Sequence, residues 1–138
     1  MSIITSGRYT LRNVRQGNLA SLQDPNDGTP LTADTSGFRN TNKWNVTQLG
    51  NGRYTFQNVD SGRYANGGNR SPAGSAIEGR SSATQFVVQE TRVKGRYTIA
   101  TLDSRLYWGL ADAEVPTSVE LAESAVDQRN WWIFEPVQ

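Results

Sequence analysis

The chain has 138 residues, a formal net charge of +1, a mean hydropathy of −0.61 and neither histidine nor cysteine. That length suits one domain burying roughly two-thirds of the surface of its unfolded form. The two missing residue types exclude disulfides, Ser–His and Cys–His nucleophiles and the common metal-ligand clusters, so neither an enzyme nor a cofactor is expected.

The first residues, Met1-Ser2-Ile3-Ile4-Thr5-Ser6, carry no basic stretch followed by a long apolar one, and no run of 18 apolar residues occurs anywhere. A cytoplasmic protein without membrane insertion is the expectation. Residues 1–101 hold 12 Lys/Arg against 6 Asp/Glu, and residues 102–138 hold 2 against 7. No basic run is interleaved with aromatics, which argues against nucleic acid as a partner.

Gly7-Arg8-Tyr9-Thr10 opens the first apolar stretch and returns as Gly52-Arg53-Tyr54-Thr55 and Gly95-Arg96-Tyr97-Thr98, at spacings of 45 and 43 residues. The chain therefore reads as three copies of one unit, residues 1–50, 51–93 and 94–138. Three copies are few for a solenoid or a propeller, leaving a closed threefold all-β arrangement. In each opening strand, side-chain alternation puts Tyr9 and Leu11, Tyr54 and Phe56, and Tyr97 and Ile99 on one inward face.

Turns follow: Asn13-Val14-Arg15-Gln16-Gly17 and Asn58-Val59-Asp60-Ser61-Gly62 both end on glycine, which tolerates positive φ. Copy three has Arg105 there, so its hairpin must close differently. Ten residues after each tyrosine stands another apolar position, Leu19, Tyr64 and Tyr107. Longer loops over 23–28, 67–74 and 111–116 come next. The stretch from Ser118 to Val126 reads as alternation running into a polar loop. Each copy closes on a matched block, Asn42-Lys43-Trp44, Thr84-Gln85-Phe86 and Asn130-Trp131-Trp132, whose last aromatic is read as a plug of the barrel.

Tyr-Thr-apolar openings with closing blocks of the Gln-x-Trp kind resemble the ricin-B-type β-trefoil family, in the cysteine-free form seen in mushroom lectins and in the lectin-like light subunit of mushroom tyrosinase. The resemblance spans residues 1–138 and implies a single β-trefoil that binds glycans in shallow pockets, one per copy. The family's galactose site takes an aspartate two residues after Leu19, Tyr64 and Tyr107, and here Ser21, Asn66 and Gly109 stand in those places. Galactose specificity of the usual kind is therefore not expected, although Asn66 retains hydrogen-bonding capacity.

Copy three is then the first candidate for a sugar site. If Tyr107 and Trp132 face the core, alternation turns Trp108 and Trp131 outward, and two exposed indoles beside Gly109, Asp112 and Asn130 would make an aromatic platform with polar neighbours; the other reading is that both rings pack under the loop from Asp112 to Pro116. The alternative is a β-trefoil protease inhibitor, with Arg70, Arg80 or Arg15 offered to a trypsin-like pocket. A further one is an accessory subunit that has lost sugar binding and attaches to a larger protein.

Overall fold

The computed structural model describes residues 3–138. Its strands are β1 (Gly7–Asn13), β2 (Leu19–Ser21), β3 (Thr29–Pro30), β4 (Thr32–Asp34) and β5 (Trp44–Gln48) in copy one. Copy two has β6 (Tyr54–Asn58), β7 (Tyr64–Asn66), β8 (Glu78–Arg80) and β9 (Val87–Glu90), and copy three has β10 (Tyr97–Ala100), β11 (Tyr107–Gly109), β12 (Glu120–Ala122) and β13 (Trp132–Pro136). Short 3-10 turns, Asn40–Asn42 and Gln128–Asn130, precede β5 and β13, and copy two has none at that place.

Six strands close into a barrel. β1 runs antiparallel to both β13 and β5, β5 to β6, β9 to β10, and β10 to β13. The remaining gap between β6 and the strand at Phe86 is shut by two backbone bonds, Tyr54 N to Phe86 O and Phe86 N to Tyr54 O, each 2.9 Å. Full closure leaves no barrel edge to pair with a stranger. Six of the other seven strands form three hairpins, β2–β4, β7–β8 and β11–β12, over one end of the barrel, and the seventh, β3, runs antiparallel to β8. A ring of backbone bonds joins them: Leu31 N to Ile77 O (2.8 Å), Ile77 N to Val119 O (2.9 Å) and Val119 N to Leu31 O (2.8 Å). This is the β-trefoil architecture.

The core follows the same threefold order. Leu11, Phe56 and Ile99 form one inward layer, Trp44, Phe86 and Trp132 another, and Leu31, Ile77 and Val119 a third in the cap, all essentially inaccessible to solvent. Each such side chain contributes about 1.5–3 kcal/mol by leaving water. Tyr9, Tyr54 and Tyr97 are buried as the strand alternation predicts. The second strand of copy three departs by one residue from the expectation that Tyr107 faces the core. Ala20, Ala65 and Trp108 are buried at matching positions, Leu19 is buried as well, and Tyr64 and Tyr107 are half-buried.

The Asn-Val turns have a physical cause. Asn13 and Asn58 are buried, and each Oδ1 accepts backbone N–H groups of its own turn, from Gln16 (3.0 Å) and from Asp60 and Ser61 (3.1 and 3.2 Å). Each Nδ2 donates to the preceding copy, Asn13 to Arg129 O (2.8 Å) and Asn58 to Thr41 O (2.9 Å). Copy three has Thr101 there, whose hydroxyl bonds Asp103 within its own turn (2.6 Å), and the turn closes with Ser104 at φ 57° in place of a glycine.

Candidate functional site

The copy-three platform is overturned by burial. Trp108 is fully enclosed, its ring centroid 5.0 Å from that of Phe56, 5.1 Å from Phe86 and 6.5 Å from Trp132. It occupies the place of Ala20 and Ala65, so one indole fills the centre of the core beside two alanines; Tyr107 is the residue turned towards solvent. Trp131 is also buried. It caps the 3-10 turn before β13, so strand alternation does not govern it; its Nε1 donates to Ala125 O (2.8 Å), and the Arg92 guanidinium lies 5.5 Å from its ring centre.

The other candidates of that set have structural partners. Gly109 is buried against Asn130, whose Oδ1 lies where a Cβ would stand, and Asn130 Nδ2 donates to Ser124 O (2.8 Å). Asp112 caps its own loop, accepting from the Thr117 hydroxyl and from Glu114 N (2.9 Å), and these bonds hold its carboxyl below the usual 3.8. Asn66 uses both ends, accepting from Gly68 N (2.8 Å) and donating to Ser82 O (2.9 Å). The structure thus brings Gly109 and Asn130 together but builds no aromatic platform on them.

Copy one holds a cluster that the sequence reading missed. Asp34, at the end of β4, is 8% exposed. Its Oδ1 accepts from Thr35 N (2.8 Å), and its Oδ2 accepts from Asn42 Nδ2 (3.1 Å) and Gln23 Nε2 (3.2 Å) and lies 3.7 Å from the Arg39 guanidinium. Gln23 Nε2 also donates to Ser21 Oγ (2.6 Å). Burial by itself would raise the Asp34 pKa; the Thr35, Asn42 and Gln23 hydrogen bonds and the Arg39 charge outweigh it and hold the carboxyl below the usual 3.8. Four residues on, Phe38 is 93% exposed.

Chemically, this cluster is an ionised carboxylate in a frame of amides, on the same loop as a bare aromatic ring. Such a set can accept hydroxyls, donate to ring or acetamido oxygens and cover an apolar C–H face. The available signal in the sequence was Asp34 itself, an aspartate at the end of β4. Phe38 stands alone among polar residues, where strand periodicity says nothing.

The basic candidates are scattered. Arg15 is exposed on the first hairpin, Arg70 is exposed at φ 55°, and Arg80 on β8 is held by Glu78 at 2.7 Å. Among the described residues no cluster of three or more His, Cys, Asp or Glu could hold a metal, and no helix is long and apolar enough to cross a membrane.

Comparison with known proteins agrees with this architecture. The family described as ricin-type beta-trefoil lectin domain-like matches residues 2–78 and 40–122. Among solved structures the chain is similar to the Macrolepiota procera ricin B-like lectin in complex with lactose, with TM-score 0.85 and 14% identity over 99% of this chain and 100% of that one. It is also similar to the Rhizoctonia solani agglutinin (TM-score 0.81, 22% identity, 99% of each chain) and to a designed threefold symmetric protein (0.82, 16%, 95% of this chain and 99% of that one). A comparison with curated protein sequences gave no match. The chain belongs to the ricin-type β-trefoil lectin-like family.

Proposed function

We propose that the protein is a non-enzymatic lectin whose working site is the Asp34 cluster of copy one. The observation that carries this reading is a nearly buried carboxylate, framed by Asn42 and Gln23, on the same loop as the exposed ring of Phe38. Family membership and the lactose-bound Macrolepiota lectin support glycan binding in general. The usual galactose arrangement is missing, since Ser21, Asn66 and Gly109 replace its aspartates. Asp34 enters the site from β4, so a different set of hydroxyls is selected.

The test is a glycan array followed by titration of the best hit. Phe38→Ala and Asp34→Asn are each expected to weaken binding by about tenfold or more, the loss of one ring contact or one charge-assisted bond. Hits that bind both variants as tightly as the unmodified protein would remove copy one as the site. The inhibitor alternative has less support: a chain that adds to a protease cleft runs extended, whereas Arg70 is left-handed and Arg80 is tied to Glu78. A blank array from folded protein would turn the reading towards an accessory subunit.

A further inference from the structure

The three seams between copies are not alike. Where the copy-two hairpin meets the copy-one loop, Arg63 Nε donates to Pro25 O (2.8 Å) and its guanidinium pairs with Asp27 (3.2 Å). Where the copy-one hairpin meets copy three, Asn18 Nδ2 donates to Ala113 O (2.8 Å) and Gln16 Nε2 to Leu110 O (3.1 Å). Backbone bonds tie the same two seams, Val59 N to Lys43 O (3.0 Å) and Val14 N to Trp131 O (2.9 Å).

In the third seam the matching residues are Leu106 in place of Arg63 and Asn18, and Thr101 in place of the tethering asparagines. Among the described residues no hydrogen bond crosses from the hairpin 101–106 to copy two. The seam stands open as a cleft of about 880 Å³ between that hairpin and the loop 67–74.

Its lining is amphipathic. Leu102, 48% exposed, and half-buried Leu106 face Pro72 and the edge of Phe86, and no aromatic face is bare there. A pyranose, which stacks on such a face, is poorly served. Arg70 and Arg105 stand at the lips, and among the described residues neither guanidinium has a salt bridge. Two acids share the lining, Glu123 and an ionised Asp103 held by the Thr101 hydroxyl and Arg105 N, so the cleft carries two charges of each sign, and the guanidinium groups of Arg70 and Arg105 are its anion-binding groups. Strain marks the same place: the non-glycine residues with positive φ among those described are Arg70 and Ser104, one on each side of this cleft. Backbone strain of that kind persists where the surroundings impose it and gathers at functional sites.

We infer that the open seam is a second binding site, distinct from any glycan site, for an amphipathic organic anion with an aliphatic or aryl body and one carboxylate or sulfonate. The body lies on Leu102, Leu106 and Pro72, and the anionic group is met by Arg70 and Arg105. A cleft of this size and lining is typical of small-molecule sites.

Anilinonaphthalene sulfonate, an aryl anion that brightens when shielded from water, is the direct probe. It is titrated against the folded protein and then displaced with decanoate, decanol or decylamine. Saturable binding is expected, with decanoate displacing the probe at a concentration at least about tenfold below that of decylamine, a charge preference worth one paired contact. Arg70→Ala/Arg105→Ala is expected to weaken the probe by about tenfold or more, and Leu102→Asp to abolish saturation. All three side chains are exposed, so the variants keep the core, which a melting curve verifies. Equal displacement by decylamine, unchanged binding in these variants, or displacement by sialyllactose but not by decanoate would each overturn the proposal. No glycan site is needed for a positive result, so the lectin reading stands or falls separately.

Discussion

Replacing Asn58 by alanine tests the reasoning about the seams most directly, because Thr101 provides an internal control at the matching position of copy three. Asn58 is 1% exposed and its side chain makes four bonds: its Oδ1 accepts from Asp60 N, Ser61 N and, at 3.4 Å, the Ser61 hydroxyl, and its Nδ2 donates to Thr41 O. Thr41 O keeps a second donor in Leu22 N (3.0 Å), so its desolvation cost is only partly incurred. The two turn amides lose their acceptor in a partly wetted place. At about 1 kcal/mol per bond, Asn58→Ala should cost about 2–3 kcal/mol. Thr101→Ala removes the bond to Asp103 and a long one from Leu106 N, both inside its own turn and neither crossing a seam, and should cost about 0.5–1 kcal/mol. Urea unfolding followed by tryptophan fluorescence measures both, with slopes required to match so that the midpoints can be compared. Costs within about 0.5 kcal/mol of each other, the scatter of ordinary surface substitutions, would refute the claim that the asparagines tie the copies together.

Acid sensitivity should be traceable to Asp34. Its folded pKa is depressed below 3.8, so its contribution to stability is complete above that value and is lost as pH falls through the folded pKa. The melting temperature should fall from about pH 5 downwards, and Asp34→Asn should show a smaller fall. A residual slope is expected in that variant, since hydrogen bonds from Thr101, Thr117 and Arg129 hold Asp103, Asp112 and Asp127 low as well. Gly79→Ala should destabilise by about 1–3 kcal/mol, because the new methyl would stand 2.5 Å from Leu22 Cδ2 inside the cap; calorimetry on the pair Gly79→Ala and Gly50→Ala, where space is open, separates crowding from the change of residue type.

The repeat was legible because the barrel strands obey one alternation in all three copies: Tyr9, Tyr54 and Tyr97 and the plugs Trp44, Phe86 and Trp132 could be aligned without coordinates. The second strands are only three residues long, too short for a phase to be read from polarity, and copies two and three carry Tyr64 and Tyr107 beside the buried positions Ala65 and Trp108. The small Ala20 and Ala65 at the positions matching Trp108 hid the phase, and the exposed Trp108 platform followed from that slip. Trp131 failed for another reason: a 3-10 turn resets the direction of the side chain before β13 begins. The Asp34 cluster depends on Gln23, after β2, and on Arg39 and Asn42, at the 3-10 turn, both converging on the end of β4, a tertiary fact with no local pattern.

The ring of Leu31, Ile77 and Val119 has a consequence for how a molecule built from three similar parts can fail. Each part gives one amide bond to the next and takes one from the previous, so opening any member strands a donor on one neighbour and an acceptor on the other. A solenoid can fray from its end because each repeat answers only to adjacent ones. Here there is no end, and duplication has produced a unit of sequence that is not a unit of stability. Divergence at one seam, as at Leu106, is tolerated because the ring holds copies two and three together from above while the surface beneath is free to change.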